Sequence, residues 1–220
     1  MGLGKPYIAI EGNVGSGKTT VLNILRMLQP SFLCVDEPVA LFESFLHYNP
    51  LMLSYEDPIA NAAIAQHHMI DQSCQHYNKS LQSLTFDSPY HCAISERSVL
   101  SPMAFIQVNL MNKIFSPFVG DYLSVELFKK SRDLRFPDIL IYFDVSAEEC
   151  YKRTLERGRD AEMRGCTFEF LQRLETSYKA MLEKQKETTK IFLLDIEPKE
   201  SPEAIAQRVL SLINDVVELN

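Results

Sequence analysis

One run of residues constrains this chain more than any other. Gly12-Asn13-Val14-Gly15-Ser16-Gly17-Lys18-Thr19 matches the pattern G-x-x-x-x-G-K-[ST]. It follows a short apolar stretch, Tyr7–Glu11, and opens a segment, Thr19–Leu28, whose Val21, Leu22, Leu25 and Leu28 share one helical face. The glycines let successive backbone N–H groups curl around a phosphate chain, and the helix N-terminus adds positive potential. In that arrangement Lys18 is expected to reach the β/γ oxygens of a nucleoside triphosphate and Thr19 to ligate Mg²⁺. The expected nucleotide-contacting residues run from Gly12 through Thr20.

The rest of the chain continues the alternation. Short, continuously apolar runs at Phe32–Val35, Cys92–Ser95, Ile139–Asp144 and Ile191–Asp195 read as strands covered on both faces. Pro58–Leu84 reads as a long helix with Pro58 in its first turn. Ser146–Arg157 opens with a capping box, Ser146 followed three residues later by Glu149. Ser201–Leu219 has Ser201 as N-cap and Pro202 at the first helical position. This pattern implies an α/β, P-loop three-layer fold with a five-stranded parallel sheet, binding ligands beyond the strands' carboxyl ends. With 220 residues, 46% of them hydrophobic, and no repeat or linker, one domain over 1–220 is expected.

A net charge of -7 argues against a broad nucleic-acid surface. The local cluster Lys152, Arg153, Arg157, Arg159 and Arg164 suits a small anion better than a polymer. No apolar run approaches the roughly 18–20 residues of a membrane span. The first strand begins at Tyr7, which leaves no room for a targeting peptide. The cysteines (34, 74, 92, 150 and 166) show neither zinc nor redox spacing and read as reduced thiols. A cytoplasmic protein is expected.

Other residues bear on the second substrate. A GTPase needs Asn/Thr-Lys-x-Asp, and Asn112-Lys113-Ile114-Phe115 lacks the acid. A remodelling ATPase normally follows an apolar strand with a Walker-B acid, usually Asp, whereas the third strand here ends in Ser95-Glu96-Arg97-Ser98. A kinase for small metabolites needs a base near the acceptor hydroxyl and cations on the moving phosphoryl. Glu37, in Asp36-Glu37-Pro38-Val39 after the second strand, is the candidate base. Glu37 and Glu96-Arg97 are both expected on strands neighbouring the P-loop strand. Arg153-x-x-x-Arg157-Gly158-Arg159-Asp160-Ala161-Glu162 reads as a helical lid, about residues 153–167, whose arginines close over the phosphates.

Taken in order, Gly12-to-Thr19, Glu37-Pro38-Val39, Glu96-Arg97-Ser98 and Arg153-to-Glu162 resemble the deoxynucleoside kinase family, from about Tyr7 to Leu194. That family includes deoxycytidine, deoxyguanosine and mitochondrial thymidine kinases and, more distantly, the herpesvirus thymidine kinases. The resemblance implies transfer of the γ-phosphoryl of ATP, with Mg²⁺, to the 5′-hydroxyl of a deoxynucleoside. It also implies a homodimer built from long helices. By resemblance Glu37 is the general base, Arg97 its partner at the hydroxyl, and Glu96 a Mg²⁺ ligand beside Thr19. Gln66 reads the base edge, Tyr55 and Glu162 bind the sugar 3′-hydroxyl, and Arg153, Arg157 and Arg159 are lid arginines. Phe42, Met69 and Ile106 fall where the family lines its base pocket. Phe42 replaces a frequent Trp, Ile106 an aromatic that stacks on the base, and Ala161 the first acid of a Glu-Glu pair.

Members resembling deoxycytidine kinase add an Arg on the long helix and an Asp shortly after the Glu-Arg-Ser block. Ser73 and Pro102 occupy the matching positions. An apolar wall from Pro102 and Met69 would accept thymine's 5-methyl, so a pyrimidine is expected, thymidine first and deoxycytidine second. The Gln66 amide pairs with either base. The alternatives are a nucleoside monophosphate (thymidylate-type) kinase, whose acceptor phosphate Glu37 would repel, and a non-enzymatic nucleotide-binding regulator.

Overall fold

The structure, a computed structural model, describes residues 4–217; the last residues of the helix expected to reach Leu219 lie outside that range. In chain order the first elements are β1 (Tyr7–Gly12), α1 (Lys18–Leu28), β2 (Phe32–Val35), α2 (Val39–Phe42), α3 (Pro50–Glu56) and α4 (Pro58–Leu81). Next come β3 (Cys92–Glu96), α5 (Ser101–Met111), α6 (Pro117–Ser131), β4 (Ile139–Asp144) and α7 (Ala147–Arg157). The chain continues through α8 (Asp160–Gly165), α9 (Phe168–Gln185), β5 (Lys190–Asp195) and α10 (Pro202–Val217).

The five strands form one parallel sheet in the order β2-β3-β1-β4-β5. Strand side chains alternate between faces, and that alternation builds the layers. Ile8 and Ile10 of β1 pack with Val21, Leu22 and Leu25 of α1 and with Val209 and Ile213 of α10. Tyr7 and Ala9 point the other way, toward apolar residues of α4, α5, α6 and α9. The expected α/β sandwich with a five-stranded parallel sheet is therefore present. Among the described residues no helix is long and apolar enough to cross a membrane.

Three local expectations change. β2 pairs with β3 and does not touch β1, so Glu37 reaches the site from the second strand away rather than from a neighbour of β1. β5 is an edge strand with Leu193 exposed, not a strand covered on both faces. Ser146 caps α7 by accepting the Glu149 N–H at 3.2 Å, but the capping box is not reciprocal. The Glu149 carboxylate turns along the helix to Arg153 Nε, 2.7 Å away, because a charged partner one turn on outcompetes the cap N–H.

Candidate active site

The loop between β1 and α1 is held from behind. Asn13 Nδ2 donates to Leu171 O at 2.8 Å, and Asn13 Oδ1 accepts the Val14 N–H at 2.9 Å. Gly15 has φ 80, and a Cβ there would lie 2.6 Å from Cys150 O of α7, so only glycine permits this close approach. Lys18 Nζ folds onto the loop, donating to Gly12 O (3.1 Å), Asn13 O (2.7 Å) and Ser16 Oγ (3.2 Å). Burial, with Arg97 nearby, lowers the Lys18 pKa to about 8. Those three acceptors are neutral, so an anionic phosphate would be a stronger partner for the ammonium.

The turn after β3 brings the charged residues together. Arg97 lies at φ 63, a left-handed backbone uncommon outside glycine. Its N–H donates to Ile10 O at 2.9 Å, and its Nη1 donates to Gly12 O at 3.2 Å and to the Tyr178 hydroxyl. Arg97 Nε stands 2.9 Å from Glu37 Oε1. Burial alone would push the guanidinium down, but Glu37, then Tyr178, Glu11 and Glu96 hold it well above its ordinary value. Beside it, Thr19 Oγ1 donates to Glu96 Oε1 at 2.8 Å. Burial raises the Glu96 carboxyl, with Lys18 opposing.

These groups open into a cavity of about 590 Å³. Its floor is the loop from Val14 through Thr20, with Glu37, Glu96 and Arg97 beside it; Gly12 and Asn13 shape that loop from behind without lining the space. One wall comes from α4, where Gln66, Met69 and Ser73 follow helical spacing, and from α5, where Pro102 and Phe105 lie three apart. Phe42 and Leu51 add apolar surface. Arg153, Arg157, Arg159 and Glu162 line the side formed by α7 and α8, where α8 packs against Tyr55 of α3. Arg157 Nε and Arg159 Nη1 reach the Glu162 carboxylate at 3.0 Å and 3.3 Å. Arg164 bridges α8 to Glu56 of α3 at 3.0 Å, and burial, with Cys166 nearby, holds the Tyr55 hydroxyl well above its ordinary value.

Ile106 is the correction. It is fully buried among Tyr77, Leu123 and other residues of the α4–α6 core and does not face the cavity. Phe105, one residue earlier, supplies the aromatic ring, with the Arg97 guanidinium carbon 5.1 Å from its centroid. Sequence reasoning also passed over Glu11, a carboxylate closing the otherwise apolar run YIAIE. It is fully buried, and its two oxygens accept hydrogen bonds from Ser98 Oγ (2.7 Å) and Ser101 Oγ (2.8 and 2.7 Å). A charged residue inside such a strand is itself the signal, since a buried carboxylate is rare unless paired.

A family model for deoxynucleoside kinase matches residues 8–218. The chain belongs to the deoxynucleoside kinase family. It is 29% identical to deoxycytidine kinase of Rattus norvegicus over 199 residues, covering 80% of this chain and 74% of that protein. It is 27% identical to human mitochondrial thymidine kinase 2 over 165 residues, covering 72% of this chain and 57% of that protein. Its fold is similar to a deoxyadenosine kinase from M. mycoides, TM-score 0.77, over 95% of this chain and 99% of that one, at 20% identity. As a deoxynucleoside kinase the protein is an ATP-dependent phosphotransferase acting on a nucleoside. Within this family member, cationic groups gather at the loop and at α7–α8, and uncharged groups gather on the α4–α5 wall.

Proposed function

We propose that this deoxynucleoside kinase phosphorylates the 5′-hydroxyl of a pyrimidine deoxynucleoside, thymidine first and deoxycytidine second. The observation that carries the reading is the Glu37–Arg97 pair, set where the phosphate-binding loop meets the uncharged wall. The Glu37 side chain is 20% exposed and so stays within a ligand's reach. As general base it takes the 5′-hydroxyl proton, while Arg97 steadies the charge developing on the oxygens of the reacting centre. Lys18 leaves the loop carbonyls for the β/γ oxygens of ATP. Residues 153–167 act as a lid that brings Arg153, Arg157 and Arg159 over the same phosphates.

Thr19 and Glu96 fit Mg²⁺, because both offer hard oxygens and the ion is usually held by one or two protein groups plus phosphate. Bound there, it would neutralise charge on the β and γ oxygens. Tyr55 and Glu162 hold the sugar 3′-hydroxyl. Gln66 is buried, and no hydrogen bond from the described residues engages its amide, which leaves it for the base edge. Phe42, Met69, Pro102 and Phe105 enclose the ring, and contact between the Met69–Pro102 wall and a 5-methyl is worth about 1 kcal/mol.

We assign a homodimer contact to the outer face of α4 and α6. Ile59 and Ile64 are exposed there beside Phe118, Tyr122, Val125 and Phe128. Large apolar side chains exposed on two packed helices are the kind of surface that marks protein–protein contacts. The free thiols suit a reducing compartment such as the cytoplasm.

The test is kcat/KM for thymidine, deoxycytidine, deoxyadenosine and deoxyguanosine under one set of conditions. Thymidine is expected to lead, with both purines about tenfold or more below it. A purine at the top would overturn the base assignment.

A further inference from the structure

Three consecutive residues of β1 hold the turn that carries Arg97. Ile10 O accepts its backbone N–H, and Gly12 O accepts its Nη1. Between them Glu11 binds the hydroxyls of Ser98, the next residue, and of Ser101, in the first turn of α5. Both Glu11 oxygens act as acceptors, the pattern of an ionised carboxylate. Glu11 does not line the cavity, so no substrate contact explains it. A left-handed non-glycine residue persists only where its surroundings over-determine it, and here a buried carboxylate supplies part of that constraint. The charged groups around Glu11 are Arg97 and Lys18, with Glu37 and Glu96 beyond them and the Tyr178 hydroxyl of α9 against the guanidinium.

We propose that Glu11 is a positioning residue for phosphoryl transfer: it clamps Ser98 and Ser101, fixes the turn at Arg97, and stands behind the guanidinium as a second anion. The proposal rests on the reading of Glu37 as base and Arg97 as its partner. In the transfer the 5′-oxygen–phosphorus bond forms as the bond from the γ-phosphorus to its bridging oxygen breaks. The electron pair of the broken bond leaves with ADP, and the hydroxyl proton passes to Glu37. Arg97 then faces a neutral Glu37, and the charge of Glu11 keeps the guanidinium from being drawn away with the departing phosphate.

Steady-state kinetics of Glu11→Gln test this, because the change keeps the side chain's shape and removes its charge. With the best deoxynucleoside as acceptor, kcat is expected to fall roughly 10–100-fold while KM for ATP stays within about threefold. In an Arg97→Ala background the same change should lower kcat by less than about threefold, since the group being positioned is gone. An equal loss in both backgrounds, or an unchanged kcat, overturns the proposal. Should Glu11→Gln fail to fold, Ser98→Ala, which removes one clamp bond and keeps the charge, is measured in the same two backgrounds and judged by the same outcomes. Wild-type kcat in Arg97→Ala alone would instead refute the reading of Arg97, a result separable from either Glu11 arm.

Discussion

Arg97 Nε lies 2.9 Å from Glu37 Oε1, yet its N–H is not aimed at that oxygen and finds no hydrogen-bond acceptor among the described residues. The two residues are thus held as an ion pair, with one buried donor uncommitted. Leaving such a donor unmatched costs about 1–3 kcal/mol. That donor sits where Arg97 lines the cavity beside the loop, and in the proposed reading its acceptor would be an oxygen of the reacting centre. A strained turn, a carboxylate and an uncommitted donor at one point are what a transition state, rather than folding alone, calls for.

Tyr55→Phe should weaken nucleosides bearing a 3′-hydroxyl by about tenfold in kcat/KM and leave 3′-deoxy analogues within about twofold. Parallel losses for both would show that the ring packs and its hydroxyl does not read the sugar.

Gly165→Ala tests the docking of α8 on α3. A Cβ there would lie 1.8 Å from Tyr55 Cδ1, so ring or lid must move. Overpacking of this kind costs about 1–3 kcal/mol. Because Tyr55 lines the cavity, nucleoside KM is expected to rise roughly fivefold or more while the melting temperature shifts by only a few degrees. An unchanged KM would show that this contact plays no part in substrate binding.

Glu11 gives the fold a pH signature. Burial holds its carboxyl above the usual carboxylate range, against the pull of Arg97, Ser101, Ser98 and Lys18. The folded state therefore binds that proton more tightly than the unfolded chain. The resulting stabilisation is complete below the unfolded pKa of about 4.3 and is lost as pH rises through the raised folded value. Glu11→Gln removes this component, so its melting temperature should fall less than wild type's as pH rises above the unfolded carboxylate pKa of about 4.3. Parallel curves for the two proteins would show that Glu11 contributes no such linkage.

Strands were legible because each is a short apolar run, and the loop because its glycines and lysine have fixed spacing. Apolar runs do not say which strand lies outermost, so β5 read as covered and β2 as a neighbour of β1. The turn from β3 into α5 carries the same limit. α5 is apolar on several sides, and helical spacing from Pro102 allows either Phe105 or Ile106 to face the cavity. Packing against α4 and α6 decides for Phe105. Glu11 sat at the join of strand and loop, where a carboxylate is easily read as solvated. Nothing in the sequence near Gly165 announced its contact with Tyr55, since the two residues meet only when α8 folds back onto α3.

Glu37→Gln tests the central claim most directly. The variant keeps the shape of the side chain and removes its capacity to accept the 5′-hydroxyl proton. Single-turnover and steady-state rates should show kcat reduced by roughly 10²–10⁴, with ATP binding unchanged. A wild-type kcat accompanied only by a raised KM for the nucleoside would contradict the assignment of Glu37 as the base.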